Sequence, residues 1–284
     1  MGKPIMDDEL WALIEPLLPP PKPRRFKYPG RKPAADRAAL TGILFVLKMG
    51  IRWRDLPSEM GCGSVASCWR RLRDWQQAGV CNRLHAALLA KLRAAEKIGF
   101  SRVVVDSSSI RAIGGGQKTG LPPTDRARPV SKHYIATDAN GTPIAAILTG
   151  ANRNDVIQLV PLIEAIVPIG GVRGRPMSRP ARVYADRGYD QKKYRRILHE
   201  RNIPTSIARR GHSHGNGLRK VRSFVERTHA WLHHIRRLRI RFERRADIHE
   251  AFLKFGCCLI CWKILRRAQQ SVGNRLQATR THCH

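Results

Sequence analysis

A chain of 284 residues with 53 Lys and Arg against 21 Asp and Glu carries a formal charge of +32, and its 42% hydrophobic content suits a folded core. Folding does not require such an excess, and self-repulsion opposes it, so the composition points to a polyanionic partner: nucleic acid first, an anionic membrane surface second. The seven cysteines are odd in number and unevenly spaced, which speaks against a disulfide scaffold and for a reducing cytoplasm.

Residues 1–18 are acidic and interrupted by Pro16, so they do not read as a secretory leader. Residues 7–18 are expected to form a short helix with Leu10, Trp11, Ile14 and Leu17 on one side. The stretch 19–33, PPPKPRRFKYPGRKP, can form neither helix nor central strand and is expected to be a basic, extended arm. The spacing of Ala39, Leu40, Ile43, Leu44, Val46 and Leu47 predicts a helix from Asp36, broken at Gly50–Pro57. A Gly turn at 61–63 then leads to Ser64, an expected N-cap. The next helix would turn Val65, Cys68, Trp69, Leu72 and Trp75 inward and Arg70, Arg71 and Arg73 outward. Two helices joined by a Gly turn, the second with an Arg-rich face, have a helix-turn-helix outline, and those three arginines are candidate DNA contacts. A further helix is expected over 82–97.

After Gly99 the texture changes. Val103–Val105 is a β-branched run that ends in Asp106, and 110–130 reads as a Gly/Pro-rich basic loop. His133–Asp138 and Ile144–Leu148 read as strands of a hairpin around Asn140-Gly141. A helix over Asp155–Val167 and a basic loop over Pro168–Pro180 follow, then a strand over 182–185 ending in Asp186. Asp190 is placed to N-cap a helix over 191–201; Ile203–Ala208 reads as a strand, 209–218 as a loop, and Arg219–Arg241 as one long helix. The late apolar run Ala251–Leu265 is too short to cross a bilayer and contains Lys254 and Lys263, so it is expected to be a buried helix. Its Cys257, Cys258 and Cys261 read as small core residues rather than metal ligands. The order predicts an α/β fold: a mixed sheet flanked by helices after an N-terminal all-α, helix-turn-helix-like domain. The boundaries are a DNA-binding region 1–98, a catalytic region 99–270 and a disordered tail 271–284.

Asp106 and Asp186 both close short apolar runs, SRVVVD and ARVYAD, and the helical segment between them permits parallel pairing. Functional groups gather at strand carboxyl ends in open α/β sheets. Two carboxylates there repel each other, and hard divalent cations relieve the repulsion. Two such ions can hold the attacking and leaving oxygens of a phosphodiester. A third acid, Glu226, sits on the predicted long helix. It is flanked by an apolar stripe (Val221, Phe224, Val225, Thr228, Trp231, Leu232, Ile235, Leu238) and belongs to a polar row (Arg222, Glu226, His229, His233, Arg237). Between 205 and 245 there are 12 Arg and Lys and two acids, Glu226 and Glu243. The plain alternative for Glu226 is an ion-pair partner of modest worth.

Asp106, the DRGYD at 186–190 and the VERTHAWL at 225–232 resemble the DDE transposases of bacterial insertion sequences, most closely the fifth insertion-sequence family in its shorter form. WRDLP at 53–57, LTGANRNDV at 148–156 and RRLRIRFE at 236–243 extend the resemblance over nearly the whole chain. It implies a ribonuclease H-like catalytic domain, two Mg²⁺ ions for which Mn²⁺ can substitute, and strand cleavage and transfer on double-stranded DNA, both terminal inverted repeats and target. It also implies a homodimer or larger assembly on DNA, no membrane, and a cytoplasmic, nucleoid-associated location. Asp106, Asp186 and Glu226 match the triad, as catalytic residues and metal ligands, with spacings of 80 and 40 residues. Arg222 matches the family's arginine four residues before the glutamate; Arg219 and His233 stand where the wider group has Tyr and Lys. Arg187, Arg209, Arg210, Arg219, Lys220, Arg222, Arg236 and Arg237 are then candidate DNA contacts. Two other readings share these features: a metal-dependent nuclease without strand transfer, and a repressor or degenerate copy that binds DNA without cutting. The complete triad weighs against the second, and the basic N-terminal helices against the first.

Overall fold

The computed structural model describes residues 4–21, 23, 26, 27, 32–122, 127–172, 174–209, 211 and 217–281, with backbone alone at 217–220 and 272–281. The N-terminal part is all helical. Asp7 caps α1 (Asp8–Ile14) by accepting from the Leu10 amide. In α2 (Asp36–Met49) the apolar positions named above are buried, and Gly50, at φ +70°, ends the helix in the left-handed region. Ser64 caps α3 (Val65–Gln77) as expected, accepting from the Ser67 amide. The link between α2 and α3 is longer than the Gly turn expected: residues 50–64 hold two 3₁₀ turns, Trp53–Asp55 and Ser58–Met60, before the chain reaches Ser64. Gly79, in the left-handed region, turns α3 into α4 (Val80–Ala94).

The second part is a six-stranded mixed sheet, ordered β3-β2-β1-β4-β5 with β6 beside the far half of β1. Strands β1 (Val103–Ala112), β2 (Val130–Thr137) and β3 (Pro143–Gly150) form an antiparallel meander. β4 (Val183–Ala185) and β5 (Thr205–Ile207) run parallel to β1 and to each other. This is the expected mixed sheet, and helices flank it. The Asn140-Gly141 hairpin forms, and Asp138 fixes it by accepting from the amides of Asn140 (2.9 Å), Thr142 (2.7 Å) and Gly99 (2.8 Å).

Several expected boundaries move. β1 does not stop at Asp106. The ladder to β2 runs from Val104↔Thr137 to Arg111↔Val130, so partner strands hold Ser107–Ala112 extended despite their polarity, and 110–112 belong to β1 rather than to a loop. The expected helix at 155–167 is a 3₁₀ turn, Asp155–Gln158, and then the short α5 (Leu159–Glu164). Asp190 does not cap α6 (Lys192–Glu200). Arg195 donates to its carboxylate and to the Ile207 carbonyl, tying α6 to β5. The long helix breaks at Ile235 into α7 (Gly217–His234) and α8 (Arg236–Arg239), followed by β6 (Ile240–Arg241). The cause is long-range: α8 rests on Gly50, where a Cβ would lie 2.7 Å from that of Arg236, while Arg237 donates to the Ile51 carbonyl at 2.6 Å.

α9 (Ala246–Thr281) contains the late apolar run and continues through 271–281, where a disordered tail was expected; no proline interrupts it. Its Cys257, Cys258 and Cys261 are buried and free, as are Cys62, Cys68 and Cys81. α9 packs on α4, α3 and β3, and one apolar cluster runs from Met6 through the sheet to Leu265. Among the described residues no helix is long and apolar enough to cross a membrane.

Candidate active site

The β1–β4 register pairs Val103 with Val183 and Val104 with Tyr184, an offset of 80. Asp106 stands two residues past the last pair on β1 and Asp186 directly after the end of β4, close enough for the charge of Asp186 to act on Asp106. Asp186 uses one oxygen to begin the 3₁₀ turn Arg187–Tyr189: Oδ1 accepts from the Gly188 amide at 2.9 Å. A Cβ at Gly188 would sit 3.0 Å from that same oxygen, so the glycine keeps the carboxylate's neighbourhood open. The capping contact leaves the other oxygen out of the turn: Oδ2 lies 4.0 Å from Nη2 of Arg222. Arg222 lies one turn before Glu226 on α7, and the same Nη2 is 3.6 Å from Glu226 Oε1.

Asp106 completes the group from the middle of β1, opposite Ile135 of β2. Its carboxyl is pushed up to about 6. Burial is the main cause, and the neighbouring charges of Asp186 and Glu226 add to it; the Ser107 amide and Arg222 pull the other way. Sheet and helix thus bring the three expected acids into one field, with Arg222 among them. The donor set is all carboxylate oxygen, which suits a hard divalent cation. Among the described residues, however, no group of three or more His, Cys, Asp or Glu is arranged to hold a metal ion.

Around the acids lie further groups, of which Lys132 and Tyr134 were not singled out in the sequence. Tyr189 is buried beside Asp186, and its phenol is raised by burial and then by the charges of Asp155 and Asp106. Asp155 Oδ1 accepts from Tyr134 Oη at 2.6 Å and pairs with Lys132 Nζ at 2.7 Å. Lys132 and Tyr134 share one face of β2, but the strand expected from the sequence began at His133 and so left Lys132 out. On α7, His229 is buried with its ring near the Asp106 backbone, which acts to raise it though no ring nitrogen meets full hydrogen-bond geometry among the described residues. Burial and the nearby His233 lower it to about 4. His233 Nε2 lies 3.3 Å from Ser108 Oγ of β1.

The expected DNA contacts divide. Arg187, Arg209 and Arg236 are exposed, and Arg222 is half-buried among the acids. Arg70 is exposed and donates back to the Ala66 carbonyl. Arg71 does not face outward as expected: it is half-buried, paired with Asp36, and donates to the Ala34 carbonyl. Arg73 pairs with Asp74 at 2.7 Å and lies over Trp69. Arg237 is a correction. Its side chain is 4% exposed and pairs with Glu243, also 4% exposed, at 2.6 Å. Glu243 Oε2 in turn meets His249 Nδ1 at 3.2 Å, and His249 stacks on His133. A guanidinium enclosed in that way stabilises the core and does not reach a phosphate. Arg210, and the side chains of Arg219 and Lys220, lie outside the described residues, as do several positions of the 19–33 arm.

Against known families, a model described as "Putative transposase of IS4/5 family" matches residues 6–85, and one described as "Transposase DDE domain" matches residues 98–261. Among curated proteins, the "Putative transposase for insertion sequence element IS402" of Burkholderia cepacia is 67% identical over 171 residues, 60% of this chain and 79% of that protein. The "Insertion element IS402 uncharacterized 16.2 kDa protein" of the same organism is 68% identical over 143 residues, 50% of this chain and 95% of that protein. Among solved structures, the Mos1 transposase paired-end complex with left transposon end is 15% identical, with 86% of this chain and 80% of that one covered at a TM-score of 0.34.

Proposed function

The chain belongs to the DDE-domain transposases of insertion sequences, and from that premise we propose that it binds the terminal inverted repeats of its element, cuts DNA strands at the ends and joins the 3′-OH to target DNA. The observation that carries this reading is the convergence of Asp106, Asp186 and Glu226, from β1, the end of β4 and α7, around the shared guanidinium of Arg222.

Asp106, Asp186 and Glu226 would hold two Mg²⁺ or Mn²⁺ ions, which when bound supply Lewis-acid stabilisation at the attacking and leaving phosphodiester oxygens. The chain's own contribution is placement. Asp106 is fixed in a paired strand and Asp186 by its turn, so both are preorganised. Glu226 stands on α7, whose Val225 and Leu232 are buried, so the helix presents its carboxylate from a fixed base. Arg187, Arg209, Arg222 and Arg236 are set to meet phosphates, as charge-assisted donors and as point cations. The basic face of α3, with Arg70 at its most exposed point, would bind the element ends. Two or more copies would assemble on DNA.

A strand-cleavage and transfer assay with element-end DNA and Mg²⁺, run beside a DNA-binding measurement on the same folded preparation, tests the proposal. Glu226→Gln, Asp106→Asn and Asp186→Asn should each lower cleavage by orders of magnitude, since loss of metal-assisted stabilisation costs several kcal/mol and about 1.4 kcal/mol is tenfold in rate. DNA affinity should hold or tighten. Near-normal cleavage by Glu226→Gln would remove it from the site. Glu243 could not replace it, because it is enclosed with Arg237 and His249.

A further inference from the structure

We propose that Arg222 is a competitor for the site's own carboxylates: it occupies the Asp186 and Glu226 oxygens that a divalent cation needs, and it releases them as it moves onto a DNA phosphate. This rests on the reading of the triad as a metal site.

The geometry is that of a cation held loosely. Nη2 of Arg222 lies 4.0 Å from Asp186 Oδ2 and 3.6 Å from Glu226 Oε1, both beyond the 2.7–3.2 Å of a formed N–H···O bond. The guanidinium is attracted to both acids and bound tightly to neither. Its side chain is 33% exposed and that of Glu226 57% exposed, so solvent screens the pairs and each is weak. The order along α7, arginine first and glutamate four residues on, is the less favourable one for a helical pair. Elsewhere in the same chain arginines meet acids in full contact: Arg195 reaches Asp190 at 2.7 Å, and Arg237 reaches Glu243 at 2.6 Å. Loose pairs also occur on the open surface, at Arg54–Asp55 (3.9 Å) and Arg196–Glu200 (3.4 Å). Arg222 differs from them in facing two acids with one nitrogen, and in being held by neither it can be displaced.

The oxygen it faces also matters. Asp186 Oδ1 is committed to the Gly188 amide, so Oδ2 is the one turned toward Arg222. The same Nη2 faces Glu226 Oε1, so one guanidinium lies against an oxygen of each acid. Both cations want the same lone pairs, and each lowers the other's occupancy. An arginine turned off its acids needs another anion, and in a nucleic-acid site the nearest is a phosphate. Metal and DNA then favour each other through one side chain, and the coupling is reciprocal by linkage.

Mn²⁺ titrated calorimetrically into the DNA-free protein tests the competition directly. Arg222→Gln should bind Mn²⁺ roughly threefold to tenfold tighter than the wild type, the range expected for removing two weak pairs. Arg222→Lys, which keeps a charge but loses the planar fork, should fall between and serves if the glutamine variant does not fold. Unchanged or weaker Mn²⁺ binding in both overturns the proposal. Asp106→Asn separates the underlying reading: if it binds Mn²⁺ like the wild type, the triad is not the metal site. In a second measurement, Ca²⁺ should tighten binding of a short DNA duplex more in the wild type than in Arg222→Gln. Equal tightening in both would also overturn the proposal.

Discussion

Asp106 and Glu243 show two acids of one chain placed in opposite situations. Asp106 is raised to about 6 by burial and by neighbouring carboxylates, so its ionisation weakens the fold. The stability it withholds at neutral pH returns as pH falls through about 6 toward the ordinary carboxylate value. Asp106→Asn should therefore raise the melting temperature at pH 7, by a gain on the order of 1–3 kcal/mol, while abolishing cleavage. The gap between variant and wild type should narrow toward pH 5. Calorimetry of both proteins across that range checks it, and a variant no more stable than the wild type at pH 7 would mean that Asp106 is not under this strain. Glu243 is the reverse: burial raises it, but the His249 hydrogen bond and the Arg237 charge more than offset that and hold it below the usual value. Its contribution is present above the unfolded value and lost as pH falls through the folded one. Glu243→Gln leaves Arg237 enclosed without its counter-charge, and should cost about 3–5 kcal/mol. Urea titration at neutral pH gives that number directly, and a loss under 1 kcal/mol would place the pair near the surface.

At the scale of elements, local signals and long-range ones fared differently in the sequence. The hairpin was legible because Asn140-Gly141 specifies its own turn, and α2 because its apolar spacing is local. Two acid-terminated runs 80 residues apart gave the Asp106–Asp186 pair, and the sheet register has the same offset. The far half of β1 was not legible, because Ser107–Ser109 carry no strand preference and are held by β2, while β6 holds only Arg111 and Ala112. The break at Ile235 was equally hidden: RRLRIRF continues a helical pattern, and what stops it is distant, namely Gly50, the Ile51 carbonyl and the pairing of Ile240–Arg241 with β1. Arg237 looked like a surface cation for the same reason: its carbonyl, that of Ile51, lies 186 residues away, and its acid, Glu243, comes within reach only once the chain has turned at Ile235. The α7–α8 corner also depends on α9. Gly256 lies so close that an added Cβ would meet Leu238 Cδ1 at 2.5 Å and Leu232 Cδ2 at 3.0 Å, both in buried residues. Gly256→Ala should cost about 1–3 kcal/mol by overpacking, and it should lower cleavage more than DNA affinity, because α7 carries Glu226. A fully stable Gly256→Ala would mean that the corner repacks without cost.

The whole molecule carries 53 Lys and Arg against 21 acids, and many of those acids are already taken up by pairs within the chain, half-buried in Arg71–Asp36 and Arg195–Asp190 and exposed in Arg201–Glu164 and Arg266–Glu9. The remaining cations repel one another across a folded body only a few screening lengths wide. That repulsion destabilises the compact state, and salt weakens it, since the Debye length is about 10 Å at 0.1 M and about 3 Å at 1 M. Without DNA, the melting temperature should therefore rise as NaCl is increased from low to moderate concentration. Exposed ion pairs work in the opposite direction, because salt screens their attraction too, but each is worth about 0–1 kcal/mol and the surplus of like charge is larger than their number. With DNA present the sign should reverse: duplex binding weakens as salt rises, with a log–log slope of about 0.9 per phosphate contact, and the stabilisation that DNA confers fades with it. Neutralising Arg70 should reduce that slope by about one contact, whereas Arg237→Ala should leave it unchanged and lower stability instead. Thermal melts and fluorescence binding over the same salt series decide the matter. A melting temperature that falls with salt in the DNA-free protein would mean that the internal pairs outweigh the repulsion. The +32 charge would then be built into the fold's own stability rather than held in surplus for a polyanion.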